Sequence, residues 1–177
     1  MACWNVIDHT ELSGTANYYE KTSIPSSYDH LYFVASARSD TSSYLGSCKL
    51  TFNGIGGTSY GVTTMYALTS TPSSQSETGN DRINYIYVAA DSVLSDTFGT
   101  VEIWVPNYAN TSNYKQVLSK WTCPNNSTTD WQWYIGYTAG LWASTAAITA
   151  IKLYPAHAST KYDQYSTFTL YGINGAG

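Results

Sequence analysis

The stretch from Phe98 to Trp121, FGTVEIWVPNYANTSNYKQVLSKW, constrains the fold more than any other. Val101, Ile103 and Val105 alternate with Glu102 and Trp104. A period of two suits a half-buried strand and does not suit a helix. Pro106 ends the ladder because it has no N–H to donate. A polar loop follows, in which Asn107-Tyr108 is echoed at Asn113-Tyr114, and the chain returns through Lys115–Trp121, where Val117 follows polar Gln116. The expected unit is two strands joined by a Tyr/Asn loop that carries no catalytic side chain.

The same period recurs along the chain. His30–Arg38 sets Leu31, Phe33, Ala35 and Ala37 on one face and Tyr32, Val34 and Ser36 on the other. Further strands are expected at Ala2–Asp8, Ala16–Tyr19, Cys48–Phe52, Gly61–Leu68, Ile83–Ala89, Trp131–Tyr137, Ala147–Tyr154 and Ser166–Ile173. Asn53-Gly54 is a hairpin-type turn signal. Ser70–Arg82 has Pro, Ser and Gly without an apolar period and reads as a long surface loop. Cys123–Asp130 is a second polar loop, and Ala139–Ser144 reads as a turn. About ten short strands and no helix predict an all-β chain: one domain over residues 1–177, an antiparallel, jelly-roll-like β-sandwich.

Composition narrows the function. Only 11% of the residues are charged, against about 25% in ordinary globular proteins. Such a surface suits a protein covered by other protein. The net charge of −4 and the absence of a basic run argue against nucleic acid. No apolar run approaches the roughly 20 residues of a membrane span, so no membrane partner is expected. Cys3, Cys48 and Cys123 form no CxxC pair, which disfavours zinc and fits free thiols in a reducing cytoplasm.

Candidate chemistry is sparse. Gly57-Thr58-Ser59-Tyr60-Gly61 matches the nucleophile-elbow pattern, but the β-branched run after it is not helical. Asp8-His9 and Asp29-His30 place acid and imidazole on opposite strand faces. Glu102 lacks an identified partner carboxylate, and Glu77, Asn80 and Asp81 lack calcium-loop spacing. The expectation is no catalysis, no cofactor and no metal. The aromatic residues carry the signal instead. Six tryptophans and 17 tyrosines supply both core rings, expected at Phe33, Phe52, Trp104 and Trp142, and contact residues. The expected interface comprises Asn107, Tyr108, Asn113, Tyr114, Trp131 and Trp133.

Several strings together carry a resemblance: SIPSSYDHL at 23–31, ARSD at 37–40, LTFNG at 50–54, VPNYANTSNYKQVL at 105–118, GLWASTAAITAIKL at 140–153 and FTLYGI at 168–173. In this set the chain resembles small β-rich virion structural proteins of tailed bacteriophages. The resemblance implies a virion component made in the host cytoplasm. One placement is a capsid decoration (cement) protein on the capsid exterior. It would bind the major capsid protein and itself as a homo-oligomer, a trimer by expectation, and the lack of a shaft or stalk segment favours it. The other placement is a tail-fibre or receptor-binding lectin-like domain that binds host-surface glycans.

Overall fold

The computed structural model describes residues 4–125 and 133–174. Among these are twelve strands and no helix. In chain order they are β1 (Trp4–Glu11), β2 (Tyr19–Lys21), β3 (His30–Ala37), β4 (Leu45–Phe52), β5 (Tyr60–Leu68) and β6 (Thr71–Asn80). The second half supplies β7 (Ile83–Ala89), β8 (Gly99–Pro106), β9 (Lys115–Cys123), β10 (Tyr134–Trp142), β11 (Ile151–Pro155) and β12 (Thr167–Ile173).

The strands form a sandwich of two antiparallel sheets. One has eight strands in the order β1-β12-β3-β8-β9-β10-β5-β6, the other four in the order β2-β11-β4-β7. Early strands pair with late ones in a nested set, β4 with β7, β3 with β8, β2 with β11 and β1 with β12. β7 packs across β8 and β9 and brings the sheets together. The Asn53-Gly54 turn has φ of 53° and 66°, yet it joins no hairpin. It carries the chain from β4 in the small sheet to β5 in the large one.

The alternation of β3 and β8 is that of the sequence. Leu31, Phe33, Ala35, Val101, Ile103 and Val105 are buried, facing Leu50, Phe52, Ile86 and Leu153 of the other sheet. Each large side chain so buried contributes about 1.5–3 kcal/mol. Phe33, Phe52 and Trp142 lie in this core as expected, whereas Trp104 is half-buried on the outer face of the large sheet. The register explains the difference, since Trp104 shares a parity with Glu102 and not with Ile103.

Two expectations fail for backbone reasons. Ser70–Arg82 is largely strand: β6 pairs with β5 from Gly61–Thr78 to Leu68–Thr71. Its Ser, Thr and Gln residues are held by the ladder, because a side-chain pattern is not needed at an edge exposed on both faces. Ala139–Ser144 is not a turn, because β10 continues to Trp142. Gly140, in the expected turn, and Gly136, in the expected strand Trp131–Tyr137, make room inside the sheet. A Cβ on Gly136 would stand 2.2 Å from the Trp121 ring, and one on Gly140 2.6 Å from Ile83.

Candidate functional site

β10 has an inverted pattern. Its inward positions are Gly136, Thr138 and Gly140, filled from above by Trp121 and Ile83. Its outward positions are Ile135, Tyr137 and Leu141, which remain 48%, 44% and 38% exposed. The neighbouring strands extend this outward apolar surface with Leu118 of β9 and Met65 of β5, at 48% and 63%.

The register shows how far the surface reaches. One row runs from Val6 through Tyr171 and Tyr32 to Trp104. It continues through Leu118, Ala139 and Thr63 to Ser76, crossing all eight strands. The next row places Glu102 beside Lys120, then Tyr137, Met65 and Ser74. Full charge on the outward positions of the described strands of the eight-stranded sheet is confined to Glu11 and the Glu102–Lys120 pair, 2.8 Å apart. Hydrogen bonds from Lys120 and then Tyr32 hold the Glu102 carboxyl below its ordinary value, and burial with the Glu102 bond lifts the Tyr32 phenol to about 12. At the β1 end Trp4 meets Tyr32 and Tyr171 edge-on, with ring centroids 5.2 and 5.8 Å apart.

This face is hollowed along β9, β10, β5 and β6. A depression of 520 Å³ lies between Pro106, Asn107, Asn113, Tyr114, Gln116 and Leu141. A second, of 410 Å³, shares Gln116 and Leu141 and runs over Ala139 and Thr63 to Ser76. A third, of 470 Å³, lies between Met65, Pro72, Ser74, Ile135 and Tyr137. Together they make an open, shallow trough with an apolar floor and hydroxyl or amide rims.

The expected contact residues fall unevenly around it. Asn107, Asn113 and Tyr114 line one end, and Tyr114 is 57% exposed. Trp133 is 53% exposed and precedes β10 at the other end, ~27 Å away at strand rise. Trp131 lies outside the described residues. Tyr108 is a correction: it is fully buried, and its hydroxyl donates to the Pro25 carbonyl. Its ring belongs to the core, and its carbonyl accepts from Ile148 N–H at 2.9 Å. The loop orders itself through Asn110, whose Oδ1 accepts from Ser112 N–H at 2.7 Å and Asn113 N–H at 3.0 Å. Behind it, buried Lys115 donates to the carbonyls of Asn113 and Thr145 at 2.8 and 3.2 Å.

Sequence reading missed Met65, Leu118, Ile135, Tyr137 and Leu141. A signal was present in β10, where small residues alternate with large apolar ones. Large residues do not always face inward, and the glycines mark which face is crowded.

The small sheet has a different outer surface. A groove of 530 Å³ lies over Lys49, Thr51, Lys152 and Tyr154, walled by Tyr18, Ile55, Asp81 and His157. The Lys152 ammonium stands 3.8 Å from the centre of the Tyr18 ring, and Lys49 donates to Ala156 O at 2.7 Å. Burial lowers the Lys49 ammonium from its ordinary value.

The remaining candidates have structural partners. Ser59 is followed directly by β5, so its motif lacks the helix that the elbow requires. The Glu77 carboxylate accepts from Asn80 at 2.8 Å, from Asn84 at 2.9 Å and from the Tyr85 hydroxyl. Asp8 accepts from Lys21, Tyr19 and Thr10. Among the described residues no cluster of three or more His, Cys, Asp or Glu is arranged to hold a metal. Cys48 and Cys123 are free and buried, with both thiols pushed up by burial, Cys48 to about 12.

Comparison with models of protein families, with curated proteins and with solved structures finds no match for this chain.

Proposed function

We propose that this chain is a non-catalytic structural protein of a phage virion, which decorates the capsid exterior by laying the outer face of its eight-stranded sheet on the shell. The observation that carries the reading is β10, which turns Ile135, Tyr137 and Leu141 to solvent and glycine to the core. A strand that exposes its apolar side on a face with one ion pair is suited to cover by another protein, because exposed contiguous apolar surface marks interaction sites. Aromatic residues and Met are enriched, and charge depleted, at the centre of protein interfaces. The resemblance of the chain's strings to virion proteins supports the choice of shell as partner. Docking is tested by adding purified protein to expanded, undecorated shells built from the same phage's major capsid protein. Saturable binding supports the reading. Adsorption to host cells without binding to shells overturns it.

The small-sheet groove favours a second reading, a receptor-binding domain for host glycans. Tyr18 and Tyr154 line the groove, and Lys49, Asp81 and His157 offer donors and acceptors around them. A glycan array on wild type and on Tyr18→Ala and Tyr154→Ala separates the two. Sugar binding lost in these variants, with shells unbound, favours the receptor reading.

A further inference from the structure

Among the described residues the two sheets have four edge strands, and three of these are blunted. An open edge invites another strand, and proteins blunt edges by shortness, charge or irregularity. β1 breaks register between Val6 and Asp8 and carries Asp8, His9 and Glu11. β2 has three residues. β7 breaks register against β4 and bends at Tyr85, whose φ is 61°.

β6 has none of these devices along its centre. Its pairing with β5 is unbroken from Thr71 to Thr78, and Ser73–Ser76 is exposed on both faces. Pro72 lies towards one end and Gly79, at φ 70°, towards the other. The one charge, Glu77, has its carboxylate bound within its own chain by Asn80, Asn84 and Tyr85.

We propose that β6 pairs antiparallel with β6 of a second copy across a two-fold axis, continuing the eight-stranded sheet from one molecule into the next. Main-chain hydrogen bonds supply the attraction, as in strand addition to an exposed edge. The choice of a second copy follows from charge. Strand against itself sets Ser, Thr and Gln opposite Ser, Thr and Gln, with the only carboxylate already occupied, whereas β1 of another copy would bring the Glu11 carboxylate to an edge strand that has no cation of its own. An isologous contact also closes, while β6 against β1 would propagate. Met65 pairs with Ser74 beside the seam and is 63% exposed, so the join runs into the trough floor. A contact of one short strand is below the size of a standard stable interface, so the dimer is weak and depends on concentration.

Sedimentation equilibrium of the full chain from about 10 μM to about 1 mM is the test. Wild type should pass from monomer to dimer and no further. Ser73→Pro and Ser74→Pro divide the question, because neighbouring N–H groups in an edge strand point alternately to the ladder and to the free edge. One should lower the melting temperature by breaking the β5 ladder. The other should melt as wild type and remain monomeric at the highest concentration. Ser74→Lys/Ser76→Lys keeps every N–H and sets like charges across the axis. It should weaken dimerisation at least tenfold at low salt and recover in about 0.5 M NaCl. A wild type that stays monomeric throughout, a trimer or open polymer, or a lysine variant that dimerises as wild type at low salt overturns the proposal.

Discussion

The Tyr85 hydroxyl donates to the Glu77 carboxylate, and this bond ties β6, at one edge of the large sheet, to β7, at one edge of the small sheet. It lifts the Tyr85 phenol to about 12, and the Tyr85 and Asn84 bonds hold the Glu77 carboxyl below its ordinary value. β6 otherwise leans chiefly on β5. Tyr85→Phe should cost about 1 kcal/mol, discounted for the exposure of the pair. Its effect should be local. Amide exchange should quicken at residues 71–80 and remain unchanged in β3, β8 and β12. Equal acceleration across all strands would show that the bond supports the fold as a whole.

Arg38 closes the connection between β7 and β8. Its Nη1 donates to Leu94 O at 3.0 Å and Thr97 O at 3.1 Å, its Nη2 to Asp91 O at 3.2 Å, and its Nε faces Asp163 at 3.3 Å. Only 8% of the residue is exposed. Arg38→Ala removes the donor shared by these part-buried carbonyls and the partner of Asp163, and should destabilise by about 3 kcal/mol. Arg38→Lys cannot reproduce the planar fork and should recover less than half of that loss in thermal melting.

Tyr108 distinguishes a core ring from a contact ring. Tyr108→Ala should destabilise by about 3–5 kcal/mol, as for other large-to-small core changes. Tyr108→Phe loses only the bond to Pro25 O and should cost about 1 kcal/mol. A melting curve of Tyr108→Ala that matches wild type would place the ring at the surface.

How much of this could be read beforehand follows from what each residue obeys. Val101, Ile103 and Leu31 alternate because one face is buried, and the period of two exposed those strands directly. Composition excluded helices for the same reason, since Thr, Tyr and Ser suit ladders and turns. β6 escaped because its hydrogen bonds to β5 involve no side chain. Tyr108 escaped because a Tyr in a polar loop looks exposed until the loop folds over Pro25. Gly140 looked like part of a turn because its purpose is to seat Ile83, which comes from another strand, as Gly136 seats Trp121. Of the expected contact residues, Asn107, Asn113 and Tyr114 do line one depression, but the apolar floor beside them was invisible until β10 was known to be inverted.

Acid should weaken the fold through three carboxylates. Burial pushes Asp8 up, but bonds from Lys21, Tyr19 and Thr10 outweigh it and leave its carboxyl below the ordinary 3.8. Glu77 and Glu102 lie below the ordinary 4.5. A depressed folded value means stability that is present above the ordinary value and lost as pH falls through the depressed one. Asp163 has the opposite sign: burial raises it despite Arg38, so its contribution is present at low pH and lost as pH rises. Three against one, the melting temperature should be flat near neutrality and fall below about pH 4.5. Glu77→Gln should reduce that slope. An unchanged melting temperature down to pH 2.5 would contradict the assignment.

We propose that the outer face of the eight-stranded sheet is the docking surface. The most direct measurement is co-sedimentation with undecorated shells of wild type and Leu118→Asp/Tyr137→Asp, with thermal melting run on both. Both side chains point outward, at 48% and 44% exposure, so the fold should tolerate the change. Wild type should bind saturably, and the variant at least tenfold more weakly at an unchanged melting temperature. A folded variant that decorates shells as wild type does, or a wild type that leaves shells bare, would contradict it.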